Sequence, residues 1–402
     1  MMKTGRNILI TGGSHAELPL IRSLHALGYF VISTGMNTEG LGHREADLYI
    51  PADFSDRESV LTIAKEQKVA GIVSGCNDFA YLSAAYACDK LGLPGHDSPE
   101  TAERIHHKDA FRSLLKAQGL PYPAFQLCRN YGELKELEER LNLPVVVKPT
   151  DLTGGKGVAV CHTWEQARRQ FEIAIGATRQ DAVLVEEYIE GSNHGVSLLL
   201  QNGKVRFSFF DNEEYWLNPY LVSGAYSPSD LEEETKEEIR RQIEIIAQAE
   251  QLCDGLFHCQ CIVKEDKTPF LIDPCRRAPG DLYIQLVSYA TGIDYPMAIV
   301  KNELGLSASE ELSFTPQQRN IARECIMSDQ NGIIEGFTIA PEYERHIIHK
   351  LQWGRVGDRI EDYMKYKAGI VFFSFSDAEE MREKMRTLYK NMRINVRKEK
   401  GE

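Results

Sequence analysis

The sequence predicts a multidomain chain that mixes α/β with α+β architecture, and three observations carry that expectation. Apolar strands alternate with helical stretches through the opening hundred residues. An apolar strand at 145–148 ends on Lys148 and runs into a glycine-rich turn. Two strands at 257–264 and 269–273 read as a hairpin within a part of the chain that has more antiparallel character.

In the opening region, strands are expected at 7–11, 30–34 and 69–74, and helices at 17–27 and 57–66. Short connections and near-continuous apolar strands imply a parallel sheet covered by helices. Ligands of such sheets sit beyond the carboxyl ends of the strands, which directs attention to Thr11-Gly12-Gly13-Ser14 and Gly75-Cys76-Asn77-Asp78. Plain turn chemistry explains both segments equally well. A helix over 108–118 is stopped by Gly119 and Pro121. A smaller α/β part follows, with strands at 145–148, 158–161 and 183–188 and helices at 131–140 and 164–175.

A third part opens at Gly195, where Asn202-Gly203 marks a hairpin leading into a strand at 205–210. The acidic helix at 231–251 carries Ile239, Ile243, Ile246 and Ala249 at helical spacing, a scaffold helix with a solvated outer face. The last part holds an apolar strand from Gly369 and a charged helix from Ala378, read as a small packing piece. These divisions give four expected domains, 1–107, 108–190, 191–310 and 311–402.

Composition narrows the function classes. The chain has 402 residues, 43% hydrophobic and 26% charged, which suits a globular protein of several domains. A net charge of −13 without a basic stripe argues against a nucleic-acid surface. Nine cysteines without a Cys-x-x-Cys pair fit free thiols in a reducing compartment, and the expected location is cytoplasmic. No signal peptide is read at the amino end, and no uncharged run approaches the roughly 18 residues of a membrane span.

The chemistry is expected at two places. A lysine fixed at a strand end supplies a point charge to phosphate oxygens, and Gly154, Gly155 and Gly157 let backbone N–H groups approach them. The segment has neither the Gly-Lys-Ser/Thr ending of a P-loop nor a dinucleotide fingerprint, so the glycines read as a hairpin tip that folds over a triphosphate. A flexible turn beside a surface charge is the plainer alternative. In the second hairpin, pairing Lys264 with Pro269 places Gln260 opposite Asp273 and His258 opposite Cys275. A carboxylate and an amide oxygen on adjacent strands suit Mg²⁺, and Arg276 and Arg277 just beyond suit a transferring phosphoryl group. Individually each of these residues also has an ordinary structural reading.

Together these segments resemble the ATP-grasp superfamily, in particular phosphoribosylglycinamide synthetase, biotin carboxylase and the carboxylate–amine ligases. The resemblance covers nearly the whole chain. It implies a Rossmann-like pre-ATP-grasp domain, then a small lobe with the glycine-rich flap, a large lobe with the metal and catalytic site, and a carboxyl-terminal subdomain packed on the large lobe. His107-Lys108-Asp109 through Pro121-Tyr-Pro123 resembles the family's Lys-bearing helix and Gly-x-Pro-x-Pro stretch, which implies that Lys108 is a phosphate contact, and the likeness of 144–157 to the Lys-Pro strand and flap implies that Lys148 is the α/β-phosphate ligand. Val183 to Gly191 is similar to the adenine-holding linker, which implies roles for Glu186, Glu187, Tyr188 and Ile189, with His194 near the ribose.

The metal motif departs from the family pattern. Relatives present Glu, then Glu-x-Asn-x-Arg, whereas this chain offers Gln260, Asp273, Cys275 and Arg277. Gln260 lacks a charge and Cys275 is a soft ligand, so the Mg²⁺ site is expected to be thinner than in relatives, with Mn²⁺ an alternative occupant. Arg277 is the expected stabiliser of an acyl-phosphate-forming transition state, and Arg276 a neighbour for a substrate carboxylate.

The implied activity is an ATP-dependent ligase joining a small-molecule carboxylate to an amine, with surface-polysaccharide or small-metabolite synthesis as a context and a homodimer as an assembly. Two alternatives stay open: an ATP-binding regulator, and a ligase using a thiol or bicarbonate. The stretch 216–228 reads as a long loop near the acceptor, and Ala278 to Leu282 as a substrate-facing turn.

Overall fold

The computed structural model describes residues 6–152, 155–313 and 315–398, so Gly154 of the expected flap lies outside the described residues. Two compact units emerge. One draws its residues from 1–209, 231–280 and 294–314, the other from 210–230, 281–293 and 315–402.

The first unit opens with a parallel sheet in the order Leu48–Pro51, Phe30–Gly35, Asn7–Thr11, Gly71–Ser74. Ile8, Leu9, Ile10, Val31, Ile32, Ile72 and Val73 are buried in it, as expected of strands covered on both faces. The strand Leu48–Pro51 and the short helix Leu41–Glu45 were not legible in sequence. A four-residue edge strand ending in proline is too short to carry a period and is placed by its neighbour.

A second sheet in this unit runs Phe125–Cys128, Val183–Glu187, Val145–Pro149, Ala159–Cys161, all antiparallel. Strand alternation sends Val145, Val147, Val183 and Val185 into one core with Phe171 and Ala174 of the helix Trp164–Ala177. The opposite face therefore carries Lys148 and Glu186. Register places Glu186 opposite Val146 and Lys148 opposite Leu184, so the two charged residues are diagonal neighbours within reach of each other.

The third sheet runs Lys204–Phe210, Ser192–Gln201, Gly255–Val263, Pro269–Cys275. Gln260 faces Asp273 and His258 faces Cys275, the expected partners. Near the turn the expected pairing fails: Val263, not Lys264, faces Pro269. A bulge that skips Ile272 in the register absorbs the one-residue offset. The acidic helix Glu233–Ala249 buries Ile239, Ile243, Ile246 and Ala247 and leaves its charged face to solvent, whereas Ala249, expected on the apolar face, is exposed at the helix end.

The second unit is built on a five-stranded antiparallel sheet, Asn212–Tyr215, Val222–Ser227, Asn320–Ile326, Gly369–Phe375, Ile347–Gln352. Met381, Met385 and Leu388 of the helix Ala378–Asn391 pack on Phe373 and Phe375. The stretch read as a long loop, 216–228, instead contributes Val222–Ser227, the second strand of this sheet. Ser223-Gly224-Ala225 looks like a turn, but Gly224 is small for a tertiary reason. A Cβ there would meet Glu324 Oε2 at 1.9 Å.

Register aligns Glu214, Gly224 and Glu324 across three adjacent strands, so the glycine makes room for the Glu324 side chain. Burial first, and Glu214 in addition, push the Glu324 carboxyl up to about 8, while Arg323 and Lys367 act against the shift. Folding therefore favours the protonated carboxyl. Its stabilising contribution is complete below the unfolded value of 4.5 and is lost as pH rises through about 8. Chemical denaturation from pH 4.5 to 8 should show stability falling with pH, and Glu324→Gln should flatten that slope. A slope unchanged by the substitution would contradict this assignment.

Candidate active site

The face of the second sheet turned away from its apolar core gathers charge. Glu186 is 3% exposed and accepts from Arg112 Nε at 3.0 Å through one carboxylate oxygen. Its other oxygen lies 2.5 Å from Lys148 Nζ. Burial pushes the Glu186 carboxyl up, but Arg112 and Lys148 together outweigh burial and hold it at about 2. Burial lowers the Lys148 ammonium to about 8, with Arg112 and Lys108 adding to the shift and Glu186 opposing it. Arg112 comes from the helix Lys108–Ala117, one turn beyond Lys108, so both cations share its buried face.

Lys108 lies 3.1 Å from Asp273 Oδ1 and also donates to the Leu152 carbonyl at 2.9 Å. Three buried cations, Lys108, Arg112 and Lys148, thus face two carboxylates, Glu186 and Asp273. The excess positive charge suits a multiply charged anion. Across the strand pair Gln260 stands opposite Asp273. Cys275 is buried, its thiol is pushed up to about 12 by burial, and its Sγ donates to the Arg277 carbonyl at 3.5 Å. A neutral thiol engaged in this way is a poor Mg²⁺ ligand. Among the described residues no three His, Cys, Asp or Glu side chains form a group that could hold a metal.

The two arginines have separate anchors. Arg276 donates from Nε to Asp97 Oδ2 at 2.7 Å, from Nη2 to the Cys253 carbonyl at 2.7 Å, and from Nη1 to the Leu256 carbonyl. At 3% exposure it is an interior tie between the first part of the chain and the strand Gly255–Val263. Arg277 donates from Nε to Asp78 Oδ1 at 2.8 Å and from Nη1 to the Ala278 carbonyl at 3.3 Å.

The remaining expected residues fall around the same sheets. Gly155 and Gly157 both have positive φ, +69° and +70°, and a Cβ on Gly157 would meet Pro149 Cγ at 2.9 Å. Before the turn, Asp151 accepts from Thr178 Oγ1 at 2.6 Å, and Gln170 Nε2 donates to the Gly157 carbonyl at 2.7 Å, so the described ends of the turn are fastened. In the linker, the Glu187 N–H donates to the Ala124 carbonyl at 2.8 Å and the Tyr188 N–H to the Pro144 carbonyl at 3.2 Å. Ile189 is buried and the Glu187 side chain is exposed. His194 Nε2 lies 2.7 Å from Ser192 Oγ, with 3% of the residue exposed.

A family model described as an ATP-grasp domain matches residues 105–273, from the helix carrying Lys108 to the carboxylate of Asp273. That stretch is an ATP-grasp domain. The sequence is 23% identical over 303 residues to the C-terminal section of the carbamoyl phosphate synthase large chain of Aquifex aeolicus, covering 73% of this chain and 55% of that protein. The chain spans about half the length of the first curated relatives it matches.

In fold it is similar to the L-amino acid ligase of Bacillus licheniformis, with a TM-score of 0.82 at 21% identity, covering 98% of this chain and 100% of that one. It is also similar to phosphoribosylglycinamide synthetase of Anaerococcus prevotii, with a TM-score of 0.78 at 22% identity and the same coverage. The ATP-grasp fold is therefore present in this chain. Sequence reasoning did not single out Arg112, Asp97 or His106. Arg112 had a usable signal, since a second cation four residues after Lys108 on an amphipathic helix shares its face.

Removing the charge of Glu186 would strand two buried cations. Glu186→Gln should cost about 3–5 kcal/mol in chemical denaturation at neutral pH. Because the carboxyl is held low, its contribution is complete above about 4.5 and is lost as pH falls through about 2, so the stability deficit of the variant should shrink toward pH 2. A deficit below about 1 kcal/mol would contradict the buried pairing, since that is the range of an exposed pair.

Proposed function

We propose that this chain is an ATP-dependent ligase that activates a small-molecule carboxylate as an acyl phosphate and passes the acyl group to an amine. The observation that carries this reading is the buried excess of cations formed by Lys108, Arg112 and Lys148 within the ATP-grasp domain. Lys108 and Lys148 bind phosphate oxygens, and Gly155 and Gly157 belong to the flap that covers them. Glu186, buried against Arg112 and Lys148, pins the Lys148 ammonium instead of touching adenine. The adenine contact then falls to the Ile189 N–H and to carbonyl oxygens of Glu187 and Tyr188, with His194 toward the ribose.

Asp273 and the amide oxygen of Gln260 would hold the Mg²⁺ that accompanies ATP. Mg²⁺ is satisfied by one or two protein oxygens together with phosphates and water, so this donor pair fits and Cys275 is not needed. The ion supplies neutralisation of charge on the phosphate oxygens when bound. A carboxylate oxygen attacks the γ-phosphorus, the bond to the ADP oxygen breaks, and Arg277 stabilises the charge of the transferring group. The amine nitrogen then attacks the acyl carbon, phosphate departs with the bonding pair, and the nitrogen gives up a proton. The covering flap excludes water from the acyl phosphate. Arg276 is assigned a structural role, because Asp97 and two carbonyls take up its donors.

A second reading, an ATP-binding regulator, draws on the thin donor set of Gln260, Asp273 and Cys275. The two are separated by screening ADP release against pools of carboxylates and amines. The ligase reading expects stimulation that depends on both substrates; ATP binding without stimulation across broad pools supports the regulator. In calorimetry with millimolar Mg²⁺, Lys148→Ala should abolish ATP uptake. Arg277→Ala should retain uptake and lower turnover by roughly 10²–10³-fold.

A further inference from the structure

Asp78 begins the helix Asp78–Leu91 at the carboxyl end of the strand Gly71–Ser74, just after the capping residue Asn77. It is 8% exposed, and one oxygen, Oδ1, receives Arg277 Nε at 2.8 Å and lies 3.2 Å from His106 Nδ1. His106 is itself constrained. Its Nε2 accepts the backbone N–H of Arg276 at 3.1 Å, which leaves the ring proton on Nδ1, facing Asp78. The ring stacks on Tyr81 with centroids 4.9 Å apart, and the Tyr81 hydroxyl donates to Asp97 at 2.8 Å, the aspartate that holds Arg276.

Consecutive arginines are therefore fastened by separate aspartates, with a stacked Tyr–His pair between them. Arg277 differs from Arg276 in what remains. Its Nε and Nη1 are engaged by Asp78 and the Ala278 carbonyl, whereas no hydrogen bond among the described residues uses its Nη2. A planar guanidinium fixed at both Nε and Nη1 keeps one orientation, which directs the N–H donors left on Nη2. Burial pushes the Asp78 carboxyl up, but Arg277 and then His106 outweigh burial and hold it well below the usual carboxylate range. It stays ionised, which suits a holder and not a proton donor.

We propose that Asp78, with His106 behind it, positions Arg277 for phosphoryl transfer, so the amino-terminal sheet supplies a functional part of the ATP-grasp site. This inference rests on the transition-state role given to Arg277 above. Asp78 and His106 do not touch the reacting atoms; they act through the guanidinium.

The test combines kinetics on the full chain, using substrates found in the screen, with the ¹⁵Nε–¹Hε resonance of Arg277, identified by its loss in Arg277→Ala. Asp78→Asn should keep ATP uptake and the KM for ATP, lower kcat about 10- to 100-fold, and shift or exchange-broaden that resonance. Combined with Arg277→Ala it should add nothing to the loss of the single variant. His106→Ala should give a smaller kcat loss in the same direction, and it carries the test if Asp78→Asn does not fold.

Full turnover in Arg277→Ala would sink the role assigned to that arginine. An impaired Arg277→Ala beside an Asp78→Asn variant with wild-type kcat and an unmoved resonance would overturn the positioning inference alone. A raised KM for the carboxylate or amine at unchanged kcat in Asp78→Asn would overturn it too, because Asp78 would then contact substrate. If no substrate pair turns over, the resonance decides: unmoved in Asp78→Asn, it refutes the positioning.

Discussion

A carboxylate removed from water must find compensation, and Glu186 finds it in two cations from two other elements. One oxygen meets Arg112 of the helix Lys108–Ala117 and the other meets Lys148 of the strand Val145–Pro149. This arrangement fixes where a strand and a helix stand relative to the strand Val183–Glu187. It also explains how Lys148 can be buried and charged at once: the ammonium is depressed only to about 8, so it stays largely protonated at neutral pH. The function proposed for the domain depends on that retained charge, because an uncharged amine would give phosphate oxygens no electrostatic attraction.

The same logic recurs around Arg276 and Arg277. Each arginine sits where its desolvation would be costly without a partner, and each partner comes from the opening part of the chain. Burial is compensated by charge in both cases, and Asp97 is held at about 2 by Arg276 against the upward push of burial. Ion pairs thus join the segment just beyond the strand Pro269–Cys275 to Asp78 and Asp97 of the opening region. Such pairs are weak arguments for net stability but strong ones for geometry, since a buried charge tolerates few alternative positions.

Much of this was legible in the sequence, for identifiable reasons. The strands at 7–11, 145–149 and 183–187 announce themselves through apolar runs bounded by turns, and the glycines after Lys148 mark a turn by chemistry that allows little else. The partners Gln260 and Asp273 followed from counting across a hairpin, although the bulge before Cys261 moved the turn-proximal pairs by one residue. What sequence left hidden depends on contacts distant in the chain. Val222–Ser227 looks like a loop because Gly224 is small to accommodate Glu324, a hundred residues later. Glu186 reads as a linker acid until the diagonal register with Lys148 is known. Asp97 and His106 carry no local signature; they matter through Arg276 and Asp78.

The proposed function stands or falls with the buried cations of the ATP-grasp domain forming a phosphate site. The most direct test is a crystal structure of the full chain grown with Mg²⁺ and a non-hydrolysable ATP analogue. It should show phosphate oxygens within hydrogen-bond distance of Lys108 Nζ and Lys148 Nζ, with the ion on Asp273. Nucleotide bound elsewhere, with Lys148 still paired only to Glu186, would contradict it.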